Sequence, residues 1–198
     1  MNVARRLVPS SGGGNDCIWT PDALALSIVE HFHIPPDALV LEPCSGGGAF
    51  LRAFEVAGLS HVQSCEVSEG IDFFRFTGHV DWIITNPPWS QMRSFLKHAY
   101  EVSDNVVFLV IITHVLGLKA RLREMVAADF GVKEIFCVET PDNSAWPQSG
   151  FQLAAHHLQR GYRGPIAFAP KDASKAARIL AEQPRIFDEP IFQAPFQG

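Results

Sequence analysis

From residue 20 onward, short apolar runs alternate with stretches whose apolar positions recur at helical spacing. Thr20-Pro21-Asp22 reads as a helix start, with Thr20 as N-cap and Pro21 at the first helical position. Leu24, Ile28, Val29 and Phe32 then share one face, and the pattern stops before Pro35-Pro36. Strands are predicted over 38–42, 61–67, 80–85, 106–113 and 132–138, with helices over 48–57, 90–101 and 116–130. Strands separated by helices in this way are the pattern of an open, mostly parallel α/β sheet of Rossmann-like type. A last strand over 152–159 follows residue 138 after a loop too short for a crossover helix, so this pair should be antiparallel. Six or seven strands result. Beyond residue 161 come Pro165, Pro170, Pro184, Pro190 and Pro195 and a short helical pattern over 171–182, which together should wrap the same domain. The start, 1–16, contains Ser-Ser-Gly-Gly-Gly-Asn and reads as a flexible lead, leaving 17–198 as one domain.

Composition sharpens this picture. With 198 residues, 47% hydrophobic and 19% charged, the chain can bury one core, and wholesale disorder is excluded. No run approaches the roughly 20 apolar residues of a membrane helix, and Arg5 and Arg6 are followed by no apolar signal segment. A cytoplasmic protein without membrane attachment is therefore expected. A net charge of −5 argues against a broad basic surface, so any polyanion would have to be met by a local patch. Cys17, Cys44, Cys65 and Cys137 are scattered and read as reduced thiols. His31 and His33, and His156 and His157, lack a third ligand nearby, so no metal is expected. One residue of the second pair should face the core.

Two strand ends carry unusual chemistry, and strand ends are where open parallel sheets bind ligands. At the first, Glu42-Pro43-Cys44-Ser45-Gly46-Gly47-Gly48-Ala49-Phe50 runs from a strand through three glycines into a helix. One glycine would serve an ordinary tight turn, whereas three allow a ligand to approach the backbone closely. The run lacks a P-loop lysine and does not match G-x-G-x-x-G. Glu42 disfavours phosphate and favours a cationic or hydroxyl-bearing ligand, such as a sulfonium with a ribose. At the second end, a strand closes on Asn86-Pro87-Pro88-Trp89. Two prolines remove two N–H donors and leave carbonyls without local partners. With the Asn86 side chain and the flat face of Trp89, the set suits a planar NH2 group.

Asn86-Pro87-Pro88-Trp89 resembles the [DNS]-P-P-[YFW] catalytic tetrad of amino methyltransferases that use S-adenosylmethionine (SAM). The glycine loop stands where that family keeps its cofactor loop, and Trp19-Thr20-Pro21 resembles the N-terminal cofactor motif of DNA adenine-N6 methyltransferases. The resemblance implies the class I methyltransferase fold and SAM as cofactor. It implies that Glu66 bonds the cofactor ribose, that Asp72-Phe73 takes its adenine, and that Trp19, Thr20, Pro21, Glu42, Cys44, Gly46, Gly48, Phe50 and Asn86 complete the cofactor site. Asn86, Pro87, Pro88 and Trp89 are then catalytic, and DNA is the implied partner.

The tetrad names an amine and not a polymer, so RNA adenine or guanine amines and protein glutamine remain alternatives, as does a SAM-binding subunit without activity. Trp at the fourth tetrad position departs from the more usual Tyr or Phe. DNA enzymes with this motif order normally carry a target-recognition domain, so here sequence specificity is expected to be short, absent or supplied by a protein partner. Trp89, Trp146 and Phe151 are the candidate substrate contacts, the last two from the loop over 140–151, where Trp146 could alternatively fold onto the core. Lys119, Arg121 and Arg123, with Lys97, form a candidate basic patch or a plain solvated helix face.

Overall fold

A computed structural model describes residues 18–142, 146 and 150–170. The glycine lead, Cys17 and the helical pattern over 171–182 lie outside these residues.

Seven strands form one sheet: β1 (Val40–Glu42), β2 (Val62–Ser64), β3 (Val80–Thr85), β4 (Ser103–Ile111), β5 (Phe130–Val138), β6 (Leu153–Arg160) and β7 (Ala167–Pro170). Their order is β2-β1-β3-β4-β6-β5-β7. The β2, β1, β3 and β4 pairings are parallel, and β6 runs antiparallel to both β4 and β5. The expected antiparallel pair is present, but β6 inserts between β4 and β5. β7, unforeseen because Pro165 and Pro170 argue against a strand, adds parallel to the outer edge of β5. Edge positions tolerate a missing N–H donor.

Five helices complete the described fold: α1 (Asp22–Phe32), α2 (Ala49–Val56), α3 (Met92–Val102), α4 (Ile112–Leu116) and α5 (Lys119–Ala127). α1 and α2 contribute Ile28, Phe32, Phe50 and Phe54 to the core on one sheet face. Met92, Leu96 and Met125 of α3 and α5 pack into the core on the other. The helix expected over 116–130 is the shorter α5, and the separate α4 takes up the end of the strand expected to run to 113; between the two stands Gly117, where a Cβ would lie 2.6 Å from the Thr113 carbonyl. Pro21 is itself the N-cap of α1, with no side-chain capping bond, so Thr20 does not cap it.

Both His156 and His157 are buried, because β6 is an interior strand covered on both faces. His157 packs on Trp82 at 4.8 Å between ring centroids and shares a 3.0 Å hydrogen bond with Asn105 Oδ1. Burial pushes its pKa down to about 3 and that of His156 down to about 4. A histidine kept neutral in the fold but free to protonate when unfolded stabilises fully above the unfolded pKa, and that contribution is lost as pH falls toward the folded one. His157→Phe retains the ring packing and removes the titration. In urea unfolding at pH 7 and pH 5, the drop in stability on acidification should be smaller in this variant by about 2 kcal/mol.

Candidate active site

Parallel pairing of β1 with β3 makes the glycine loop and the proline loop leave the sheet side by side. Glu42 ends β1 with 1% exposure, and its Oε1 accepts the Cys44 N–H at 3.1 Å. Burial pushes Glu42 up to about 8, against hydrogen bonds from the Thr85 hydroxyl and the Cys44 amide that favour its charged form. At neutral pH this carboxyl is mostly protonated, so it anchors the loop from beneath and offers no charge to a ligand. Cys44 spans the two loops: its Sγ lies 2.9 Å from Thr85 Oγ1 and 3.5 Å from the Asn86 carbonyl.

The glycines have separate tasks. Gly46 (φ 48°) and Gly48 (φ 78°) occupy left-handed backbone, and Gly48 caps α2. Gly47 makes room, since a Cβ there would stand 3.2 Å from the indole of Trp19, which lies over the loop while remaining 71% exposed. Glu66 binds the loop from the β2 side, its Oε2 accepting the Gly46 N–H at 2.9 Å. Partial burial opposes its ionisation, but hydrogen bonds from Ser68 and Gly46 outweigh this and hold the carboxyl below its usual range. Glu66 is therefore the anionic group beside the loop.

The strap formed by residues 18–20 crosses above. The Ile18 carbonyl accepts Asn86 Nδ2 at 3.2 Å, and the Trp19 carbonyl accepts Trp146 Nε1 at 3.3 Å. The first bond orients the Asn86 amide. Its Oδ1 is then a buried acceptor with no partner among the described residues. Asn86 lines a cleft together with Ile18, Trp19, Thr20, Cys44, Ser45, Gly46, Gly47, Ala49 and Phe50.

Most of the expected cofactor residues thus meet in one place, but not all. Asp72 caps a short turn by accepting the Phe74 N–H at 3.0 Å, and the Phe73 ring is buried against Phe95 and His98, away from the cleft lining. Trp89 follows Asn86 and meets His114 edge to face, with centroids 5.2 Å apart. Phe151 is exposed. Trp146, offered as a substrate contact or alternatively as folded onto the core, follows the second: it is 3% exposed and packs in the core, with its indole N–H on the Trp19 carbonyl. The expected patch on α5 divides: Lys97 of α3 is paired with Glu124 and Arg121 bonds the His114 carbonyl, while Lys119 and Arg123 are exposed. Ile18 was missed because it acts through a backbone carbonyl, which no side-chain pattern marks.

No protein-family model and no curated protein sequence matches the chain. Solved structures do. An RNA methyltransferase candidate from Pyrococcus horikoshii superposes with a TM-score of 0.55 at 18% identity, over 73% of this chain and 87% of that one. A candidate class I SAM-dependent methyltransferase from Listeria monocytogenes gives 0.56 at 15%, over 88% and 73%. The methyltransferase subunit of a type I restriction-modification system from Streptococcus thermophilus gives 0.57 at 10%, over 87% of this chain and 54% of that subunit. The chain thus spans about half the length of that subunit. The fold is that of the class I SAM-dependent methyltransferases, as the resemblance implied.

A carboxyl whose pKa is raised on folding stabilises below its unfolded pKa, and that contribution is lost as pH rises toward the folded value. For Glu42 the window runs from the ordinary carboxylate range to about pH 8. Glu42→Gln should match the parent in stability near pH 5 and exceed it near pH 9 by about 2–4 kcal/mol, read by urea unfolding at both values.

Proposed function

We propose that this protein transfers a methyl group from SAM to the exocyclic N6 amine of adenine in nucleic acid, with DNA as the first candidate polymer. The observation that carries the reading is the Asn86 amide at the lining of the glycine-loop cleft, its Nδ2 held by the Ile18 carbonyl and its buried Oδ1 left without a partner among the described residues. The residues present fit the cofactor. Glu66 offers an anionic carboxylate to hydroxyl groups, the positive-φ glycines permit close backbone approach, and Trp19 and Phe50 give the cleft apolar walls. When bound, SAM supplies an electrophilic methyl on a sulfonium.

An adenine amine is a weak nucleophile because its lone pair is delocalised into the ring. Asn86 Oδ1 and the Pro87 carbonyl, each accepting one amine hydrogen, favour the pyramidal form in which the lone pair is available. This stabilisation grows toward the transition state, and most of the remaining acceleration comes from orientation. Trp89 offers a partly exposed aromatic face for a base taken out of a stack, an interaction worth about 1–3 kcal/mol.

The choice of DNA rests on the Trp19-Thr20-Pro21 strap beside the tetrad, and the likeness to a type I methyltransferase subunit favours the same polymer. By analogy with that assembly, a protein partner supplies target recognition. RNA is the second reading, favoured by the likeness to the Pyrococcus candidate.

Asn86→Ala should abolish methyl transfer, by at least about a hundredfold, while SAM still binds. Calorimetry of SAM binding beside a labelled-methyl assay checks this, and loss of SAM binding in the folded variant would contradict the division of roles. Trp146→Phe keeps the buried ring and removes the bond to the strap, so it should lower turnover by roughly tenfold in the same assay, with the fold retained by circular dichroism.

A further inference from the structure

One charged cluster beside Trp89 has no part in the chemistry above. His114, edge-on to Trp89, belongs to α4, and its backbone carbonyl accepts a hydrogen bond from Nη1 of Arg121 on α5. Arg121 Nε is buried without a partner, and no carboxylate lies within ion-pair distance of this guanidinium among the described residues. Arg93, four positions after Trp89, instead takes Glu124 at 2.5 Å, and Lys97 Nζ stands 3.3 Å from the same carboxylate. Burial, and after it the like charge of Arg93, lowers the basicity of Arg121. Where α3 and α5 meet, two cations therefore share one carboxylate and the Arg121 guanidinium stands beside them without an ion pair among the described residues, on a chain whose net charge is −5. A partly desolvated guanidinium next to a second cation is costly until an anion meets it, and its planar fork suits phosphate oxygens.

We propose that Arg121 and Arg93, at the junction of α3, α4 and α5 beside Trp89, hold a backbone phosphate of the nucleic-acid strand whose base reaches Asn86. The proposal rests on the preceding reading of the substrate and adds the surface that grips it. The His114 carbonyl fixes the Arg121 fork, and the His114 ring fixes Trp89, so one short helix sets the phosphate site and the stacking face in register. An acidic peptide would need the same cations, and the test separates it.

The test is binding of a fluorescent single-stranded oligodeoxynucleotide over a range of salt, for the parent, Arg121→Gln and Glu124→Gln, with labelled methyl incorporation read on the same samples. Arg121→Gln should bind about tenfold more weakly near 0.1 M salt, and its log K against log salt should be less steep by about 1. Glu124→Gln frees Arg93 and Lys97 and should bind more tightly, which decides the matter even if Arg121→Gln fails to fold. Parent-like affinity in the variants, with the oligonucleotide still methylated, would overturn the phosphate site and leave the methyltransferase reading standing. A parent protein that ignores the oligonucleotide but binds a polyglutamate peptide would overturn both.

Discussion

The site depends on the parallel pairing of β1 and β3, which brings two loops off the sheet at the same level with Glu42 and Thr85 buried beneath them. Neither loop is self-supporting. The glycine loop is bound from below by Glu42, from the β2 side by Glu66 and across its top by the Trp19 indole. The proline loop, which lacks two N–H donors, is bound by Cys44 and by the strap at Ile18. Keeping Glu42 protonated in this place lets a carboxyl act as a neutral anchor, with the anionic role left to Glu66 on the open side.

The strap turns a strand end into an oriented acceptor. An asparagine amide can present either its oxygen or its nitrogen, and the Ile18 carbonyl selects the arrangement with the oxygen inward. Trp146, buried in the same core cluster that Ile18 packs against, secures that carbonyl's neighbour, so a residue distant in sequence supports the geometry of Asn86 through two backbone groups. Buried polar contacts of this kind hold few alternative arrangements, because each unpaired partner would cost desolvation.

Much of this was legible in the sequence. The strand over 80–85 stands where its apolar run places it, and Asn86-Pro87-Pro88-Trp89 and the triple glycine marked the two loops that meet. What failed were features set by tertiary context. The strand expected to reach 113 ends at Ile111 and gives way to a short helix over 112–116, so the helix expected from 116 begins only at Lys119, beyond Gly117, where a Cβ would meet the Thr113 carbonyl. β7 gains its place from the open edge of β5 and not from its own propensity. For Trp146, in a polar loop, the sequence left substrate contact and core packing both open, and only the burial of its ring with the N–H on the Trp19 carbonyl decides for the core. Backbone acceptors such as Ile18 leave no trace in residue identity.

The most direct measurement is transfer of labelled methyl from SAM to double-stranded DNA, single-stranded DNA, RNA and total protein, followed by mass spectrometry of the nucleosides. The account predicts label in DNA as N6-methyladenine. Label confined to protein, or SAM bound with no label in any polymer even when a recognition partner is supplied, would contradict it.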